Sequence, residues 1–409
     1  MTGAPSPKAE ILGALSGIHT LLRDLISGLP PAVANRPLDQ RLGCPAWQLA
    51  RAVYRETYWL REVIAGDADL TSRVRHLVAT DADPRSHWDP AAVCAQLPPP
   101  AHLVRWAAEI QEEHLRRLAT PGALPDHPLL AQDRLAWFLL QEAALAYERI
   151  LALKRLDAIE RDPGSYRVAQ PLVAQGPSLD LAGVTQGHYR IGSRGEPFAY
   201  DNELPPQAVE LASFRIARRP VSNAEFLAFI EAGGYSDAGL WDESGWRWRD
   251  ALDARPEAPL GWRRDQGGHW YEVNLNGPAD LPPDQPVSGL NRHEARAYAA
   301  WVAGLGGDHA GAVVQHEYQW ELAARSGLLE GTGRAWEWCA NPFHPYPDFT
   351  PFPDAETSSA AFEAGAGVLR GACLHTQRCL RRASFRHPRD AADRNGFAGL
   401  RLVYPPVPG

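Results

Sequence analysis

The residues of this chain best suited to chemistry crowd toward its C-terminal end. Cys373, His375, Cys379 and His387 bring thiols and imidazoles together within fifteen positions. Soft sulfur and neutral imidazole are donors for copper(I) or zinc. Their spacing follows no established ligand pattern, and a buried cysteine with surface histidines is the weightier reading. The five cysteines (Cys44, Cys94, Cys339, Cys373 and Cys379) are odd in number and include no Cys-x-x-Cys, so neither a disulfide framework nor a zinc knuckle is expected. Glu337 stands between Trp336 and Trp338, where a carboxylate serves more readily as a core hydrogen-bond acceptor than as a catalytic group.

The elements that must position these residues fall into two halves. Up to about residue 160 the apolar residues recur at helical spacing, as in Ile11, Leu15, Ile18, Leu22 and Ile26. Four helices are predicted: one ending at Gly28, one from about Pro45 to Gly66, one from about His102 to Leu118 and one from about Ala131 to Ile159. Such a set suggests a four-helix bundle. The connection from Asp67 to Pro100 is long for one. From about Tyr166 the chain turns to short β-like runs, among them Val209–Ile216, Gly268–Val273 and Gly399–Tyr404. Two amphipathic helices, Asn223–Ala232 and Arg292–Val302, interrupt them. Each follows a capping residue, Ser222 or Asn291, with a glutamate in its first turn.

Composition bounds what the whole can be. Across 409 residues, 45% are hydrophobic and 22% charged, which excludes wholesale disorder. A net charge of −8 argues against a non-specific nucleic-acid binder. No apolar run approaches bilayer length and no signal peptide is legible, so a soluble, cytoplasmic protein is expected, with no membrane or nucleic-acid partner. The 35 glycines and 36 prolines gather in the second half and predict irregular structure there.

Several motifs carry a family resemblance. Phe214-Arg-Ile-Ala-Arg-Arg-Pro-Val-Ser-Asn-Ala-Glu-Phe, Gly333-Arg-Ala-Trp-Glu-Trp-Cys, Leu369-Arg-Gly-Ala-Cys and Gly396-Phe-Ala-Gly-Leu-Arg-Leu resemble segments of the formylglycine-generating-enzyme (sulfatase-modifying-factor) fold. Phe198-Ala-Tyr-Asp-Asn-Glu-Leu-Pro-Pro, Gly233-Gly-Tyr and Leu240-Trp narrow the likeness to the ergothioneine and selenoneine synthases. The resemblance implies an α+β chain. A DinB-like four-helix bundle (1–162) would be followed by a formylglycine-generating-enzyme, C-type-lectin-like domain low in regular structure (163–409). It further implies one non-heme iron(II), held by three histidines, that joins a sulfur or selenium donor to the imidazole of a histidine betaine.

At the implied ligand positions this chain differs. Arg51 ends the Trp47-Gln-Leu-Ala-Arg51 segment where the family has a histidine, and Gln141 and Leu145 take the other two places. A register slid by two residues offers Ala143 and Tyr147 instead. Arginine presents no lone pair and repels a cation, so the family's iron is not expected and no other cofactor is implied. Arg51 then either meets Glu142 or Glu56 in a salt bridge that plugs the interior, or binds a ligand carboxylate. Ser72-Arg73-Val74 resembles an active-site loop, and His387 replaces a family asparagine. The family's oxygen-handling tyrosine would fall in Phe349–Thr357, which has none. The Tyr200–Glu203 run is read as structural.

Two functions stay open. One is a divergent synthase forming C–S or C–Se bonds through rearranged residues. The other is a non-catalytic relative that binds a small imidazole or thiol (selenol) metabolite, or a partner protein. The expected pocket residues are Arg51, Arg73, Gln141, Glu142, Leu145, Tyr147, Cys373, His375, Arg386, His387 and Arg389.

Overall fold

In the computed structural model, residues 7–78, 89–194, 198–252, 255–353 and 356–406 are described. The chain divides into two compact units, Met1–Asp157 and Ala158–Gly409.

The first unit is helical. Its long helices are α1 (Pro7–Ser27), α3 (Pro45–Thr57), α6 (Pro100–Ala119) and α7 (Arg134–Arg161), with a four-residue α2 (Pro31–Ala34) between the first two. The connection read as one long loop carries two more helices, α4 (Asp69–Val78) and α5 (Pro90–Gln96). Asp89 caps α5 by accepting from the amides of Ala91 and Ala92. Residues 79–88 of that connection lie outside the described residues. α1 buries Ile11, Leu15, Ile18, Leu22 and Ile26, and α6 buries Leu103, Ala107 and Leu118, the stripes that the 3.6-residue period dictates. At Thr57, α3 passes into a π-helix, Tyr58–Val63, closed by the Ile64 amide bonding to the Trp59 carbonyl at 3.1 Å. There Trp59 meets Phe138 of α7 edge-on.

The second unit mixes short strands and short helices. One sheet orders Leu181–Val184, Phe214–Ala217, Leu402–Tyr404 and Val313–Val314; a second orders His387–Arg389, Gly367–Gly371, Trp336–Pro342 and Ala398–Leu400. Gly187–Ile191 pairs with Gln207–Leu211, and Trp262–Arg264, Trp270–Asn274 and Gly277–Asp280 form an antiparallel meander. The single runs expected at Val209–Ile216 and Gly399–Tyr404 are therefore each two strands. The second break is Arg401, where the chain passes from one sheet to the other. Helices α8 (Asn223–Glu231), α9 (Glu243–Asp250), α10 (Arg292–Gly304), α11 (Glu317–Arg325) and α12 (Glu356–Glu363) lie between the strands. The Ser222/Glu225 and Asn291/Glu294 capping boxes form as the sequence indicates.

With so little regular structure, buried ion pairs take over the satisfaction of backbone groups. Arg401, fully buried, meets both oxygens of Glu337 at 2.8 Å and donates to the carbonyls of Ala217 and Arg218. Glu337 also accepts from the Trp320 indole at 3.0 Å and from Gln315 at 3.1 Å, which makes it the core acceptor expected. Arg370 pairs with Glu321 at 2.5 Å, Arg382 with Glu203, and Arg394 with Glu294 at 2.8 Å. Asp201, in the Tyr200–Glu203 run, accepts from the Asn202 and Phe352 amides, so that run is structural.

Removing one partner leaves the other charged and unpaired in the core, a loss on the order of 3–5 kcal/mol. Arg401→Met is expected to lower the unfolding free energy by about that amount. Urea denaturation of the full chain measures it.

Candidate functional site

The residues read as site candidates in the first unit lie on α3, α4 and α7. Arg51 and Arg55 stand one helical turn apart on α3, both half-buried. The Arg51 guanidinium lies over the Trp47 ring, 5.1 Å from its centroid, and that of Arg55 over Phe138 at 5.8 Å. Arg55 Nε is 3.5 Å from Glu142. Tyr54 and Tyr58 stack beside them with centroids 6.4 Å apart. The result is a patch of two cations, one carboxylate and several aromatic faces. Gln141 is buried, donating to the Trp137 carbonyl at 3.1 Å, and Leu145 is buried one helical turn further on. Tyr147 is half-buried, and burial raises its pKa. Arg73 is exposed on α4.

Two expectations about Arg51 are corrected here. It is half-buried rather than enclosed, because its stem lies along Trp47. Of its two proposed counter-charges, Glu56 is taken by other partners. His19 Nε2 lies 2.6 Å from one Glu56 oxygen and His114 Nδ1 3.3 Å from the other, all three residues being at most 2% exposed. Gln111, one turn before His114 on α6, accepts from Arg23 of α1 at 2.6 Å. This interior polar cluster, shared by α1, α3 and α6, escaped the sequence reading. Its signal is a polar residue on a core-facing stripe. Glu56 continues Leu49 and Val53, and His114 falls between Ala107 and Leu118.

Burial alone would raise the pKa of Glu56, but the two imidazoles outweigh it and hold the carboxyl at about 2.

The C-terminal candidates do not come together as a site. Arg386 is corrected from a pocket residue to a core one: it is 1% exposed and bonds Glu317 at 2.7 and 2.8 Å. It also lies over the rings of Phe343 and Tyr346. Burial would raise the pKa of Glu317; Arg386 and Arg370 hold it below its ordinary value instead. Arg389 pairs with Asp393 at 3.0 Å and donates to His387 Nε2 at 3.1 Å. His387 packs against Trp336 and Phe385, and His375 edge-on to Phe397. Cys373 is buried beside Thr376, while Cys379 is half-buried. Among the described residues, no three His, Cys, Asp or Glu side chains are arranged to hold a metal ion.

Part of the second unit resembles a known domain. Residues 173–332 match the sulfatase-modifying factor enzyme 1-like domain. Over 99% of its length the chain is 28% identical to the hercynine oxygenase of Mycolicibacterium thermoresistibile, covering 97% of that protein. It is 30% identical to the Mycobacterium tuberculosis hercynine oxygenase over 52% of this chain and 58% of that one. Against the formylglycine-generating enzyme of Thermomonospora curvata it is 33% identical, over 36% of this chain and 49% of the relative. These likenesses support kinship with the hercynine oxygenases. The three positions where the resemblance expects iron ligands hold a guanidinium, a carboxamide and a buried isobutyl group, and that donor set does not fit iron(II).

Glu56 is more acidic in the folded chain than in the unfolded one. Its contribution to stability is therefore complete above pH about 4.5 and is lost as pH falls from there toward 2. Glu56→Gln is expected to lower the unfolding free energy near neutral pH by about 3 kcal/mol. It should also flatten the acid limb in that window. Melting curves from pH 2 to 7 on both proteins test this.

Proposed function

We propose that this chain is a divergent relative of the hercynine oxygenases that binds a small zwitterionic metabolite carrying a flat ring. It does so without the family's iron at positions 51, 141 and 145. The observation that carries the reading is the patch on α3 and α7. Arg51 and Arg55 offer donors to a carboxylate, Glu142 offers an acceptor to a cation, and the half-buried Tyr58 offers a face to a ring. Arginine held flat on an aromatic ring keeps its outer N–H groups pre-aimed, which lowers the entropy lost on binding a carboxylate. An imidazole amino acid or its betaine has that combination of groups. The relatives' name, hercynine oxygenase, points to the same ligand class. We further place the first unit among DinB-like bundles and the protein in the cytoplasm.

Calorimetric titration with histidine betaine, ergothioneine and cysteine-type donors tests the reading. Arg51→Ala is expected to weaken binding by about 1.5–3 kcal/mol with little change in melting temperature. No heat with any ligand, together with a clear fall in melting temperature for Arg51→Ala, would show that the residue only braces the fold.

The register of the lost ligands has its own test. Arg51→His, Gln141→His and Leu145→His together should confer stoichiometric iron(II) binding, read by elemental analysis after anaerobic loading. A folded triple variant that takes up no iron would refute the assignment of those positions.

A further inference from the structure

A separate cleft of about 570 Å3 opens wholly within the second unit, beside the sheet that contains Leu402–Tyr404. Its walls are apolar and stiff, formed by Pro177, Pro220, Pro283 and Pro286. Its rim charges are largely matched. Arg219 pairs with Glu330 at 3.0 Å, Asp180 lies 3.5 Å from Arg218, and Arg334 and Asp284 offset each other in sign.

The inner lining is not matched. Glu225 lies there half-buried, its oxygens accepting from the backbone amides of Ser178 and Ser222, both at 2.7 Å. Among the described residues no cationic side chain reaches ion-pair distance of it. Tyr404 also lines the cleft. It is 1% exposed, and its hydroxyl is buried without a hydrogen-bond partner. Tyr298 of α10 presents a second buried hydroxyl with no partner, and the Glu225 charge acts on both phenols. Arg215 lies over the Tyr404 ring at 5.8 Å, with its Nε engaged by the Pro405 carbonyl.

A buried hydroxyl left unpaired costs roughly 1–3 kcal/mol, so a protein that keeps one at the lining of a cleft whose carboxylate is met only by backbone amides has a polar cation site there. We infer that this cleft binds a compact organic ammonium ion. Its N–H groups would go to the Glu225 carboxylate and the Tyr404 phenolic oxygen, and its apolar body would lie along the proline walls. Anions are disfavoured by Glu225. Neutral isosteres lack the charge that Glu225 calls for. This site is independent of the patch on α3 and α7, and neither depends on the other being occupied.

The test uses the full chain with 2-phenylethylamine as probe, set against 2-phenylethanol and 3-phenylpropanoate, read by calorimetry and by thermal shift. Saturable binding of the amine is expected, with the alcohol and the carboxylate at least tenfold weaker. Glu225→Gln keeps a side chain able to close the capping box of α8 and should lower amine affinity at least tenfold. Tyr404→Phe removes only the unpaired hydroxyl. It should lower affinity about fivefold while leaving the ligand-free melting temperature equal or higher. Absence of saturable amine binding would overturn the inference. So would alcohol binding as tight as the amine's, or equal amine affinity in both folded variants.

Discussion

A carboxylate withdrawn from water must find a cation or give up its charge, and the second unit is organised around that requirement. Glu337 and Arg401 meet it at the point where the last two strands leave one sheet and enter the other. Arg401 also binds the carbonyls that end the Phe214–Ala217 strand, so a single guanidinium ties both sheets and the loop between them. The pairs Arg386–Glu317, Arg370–Glu321, Arg382–Glu203 and Arg394–Glu294 repeat the device elsewhere. Arg386, Arg382 and Arg394 each match a planar fork to a carboxylate, a geometry that lysine cannot reproduce. Where strands run only two to seven residues, this pairing supplies the directional bonds that longer ladders would otherwise give.

The first unit solves a similar problem with imidazole. Glu56 is as deeply buried as the glutamates of the second unit, but its partners are His19 and His114 from two other helices. Imidazole is less demanding in geometry and sits on a helix stripe without the reach of arginine. The arginines of α3 are thereby left at the half-buried edge. Arg51 and Arg55 rest on aromatic faces there, and Arg55 lies 3.5 Å from Glu142. The placement of charge in the bundle is therefore graded, met by imidazole inside and by aromatic rings at the half-buried edge.

Much of this was legible in the chain itself. The stripes of α1 and α6, the Ser222 and Asn291 capping boxes and the core role of Glu337 follow from spacing and residue type. The partnerships do not. Arg386 and Glu317 are 69 positions apart, His19 and Glu56 are 37 apart, and nothing local says which guanidinium goes to which carboxylate. For that reason Arg386 reads from sequence as a ligand-binding cation and proves to be a core strut. The cysteine and histidine gathering around residue 380 misleads in the converse way. Closeness along the chain is not convergence, because Cys373, His375 and His387 each turn to a different neighbour. The helices α4 and α5 were missed because proline and polar residues in their flanks mask short helical runs.

The π-turn at Tyr58–Val63 gives α3 a property that a regular helix would lack. One extra residue in the turn shifts the angular phase of everything beyond it. Phe138 is met from both sides of Thr57, by Arg55 before it and by Trp59 after it, on one continuous rod. Up to that point the rod shows Arg51, Tyr54 and Arg55 to one side; past it, Trp59 and Leu60 are adjacent in sequence yet both are interior. The segment works as a vernier, letting the two halves of a single helix be adjusted apart from one another.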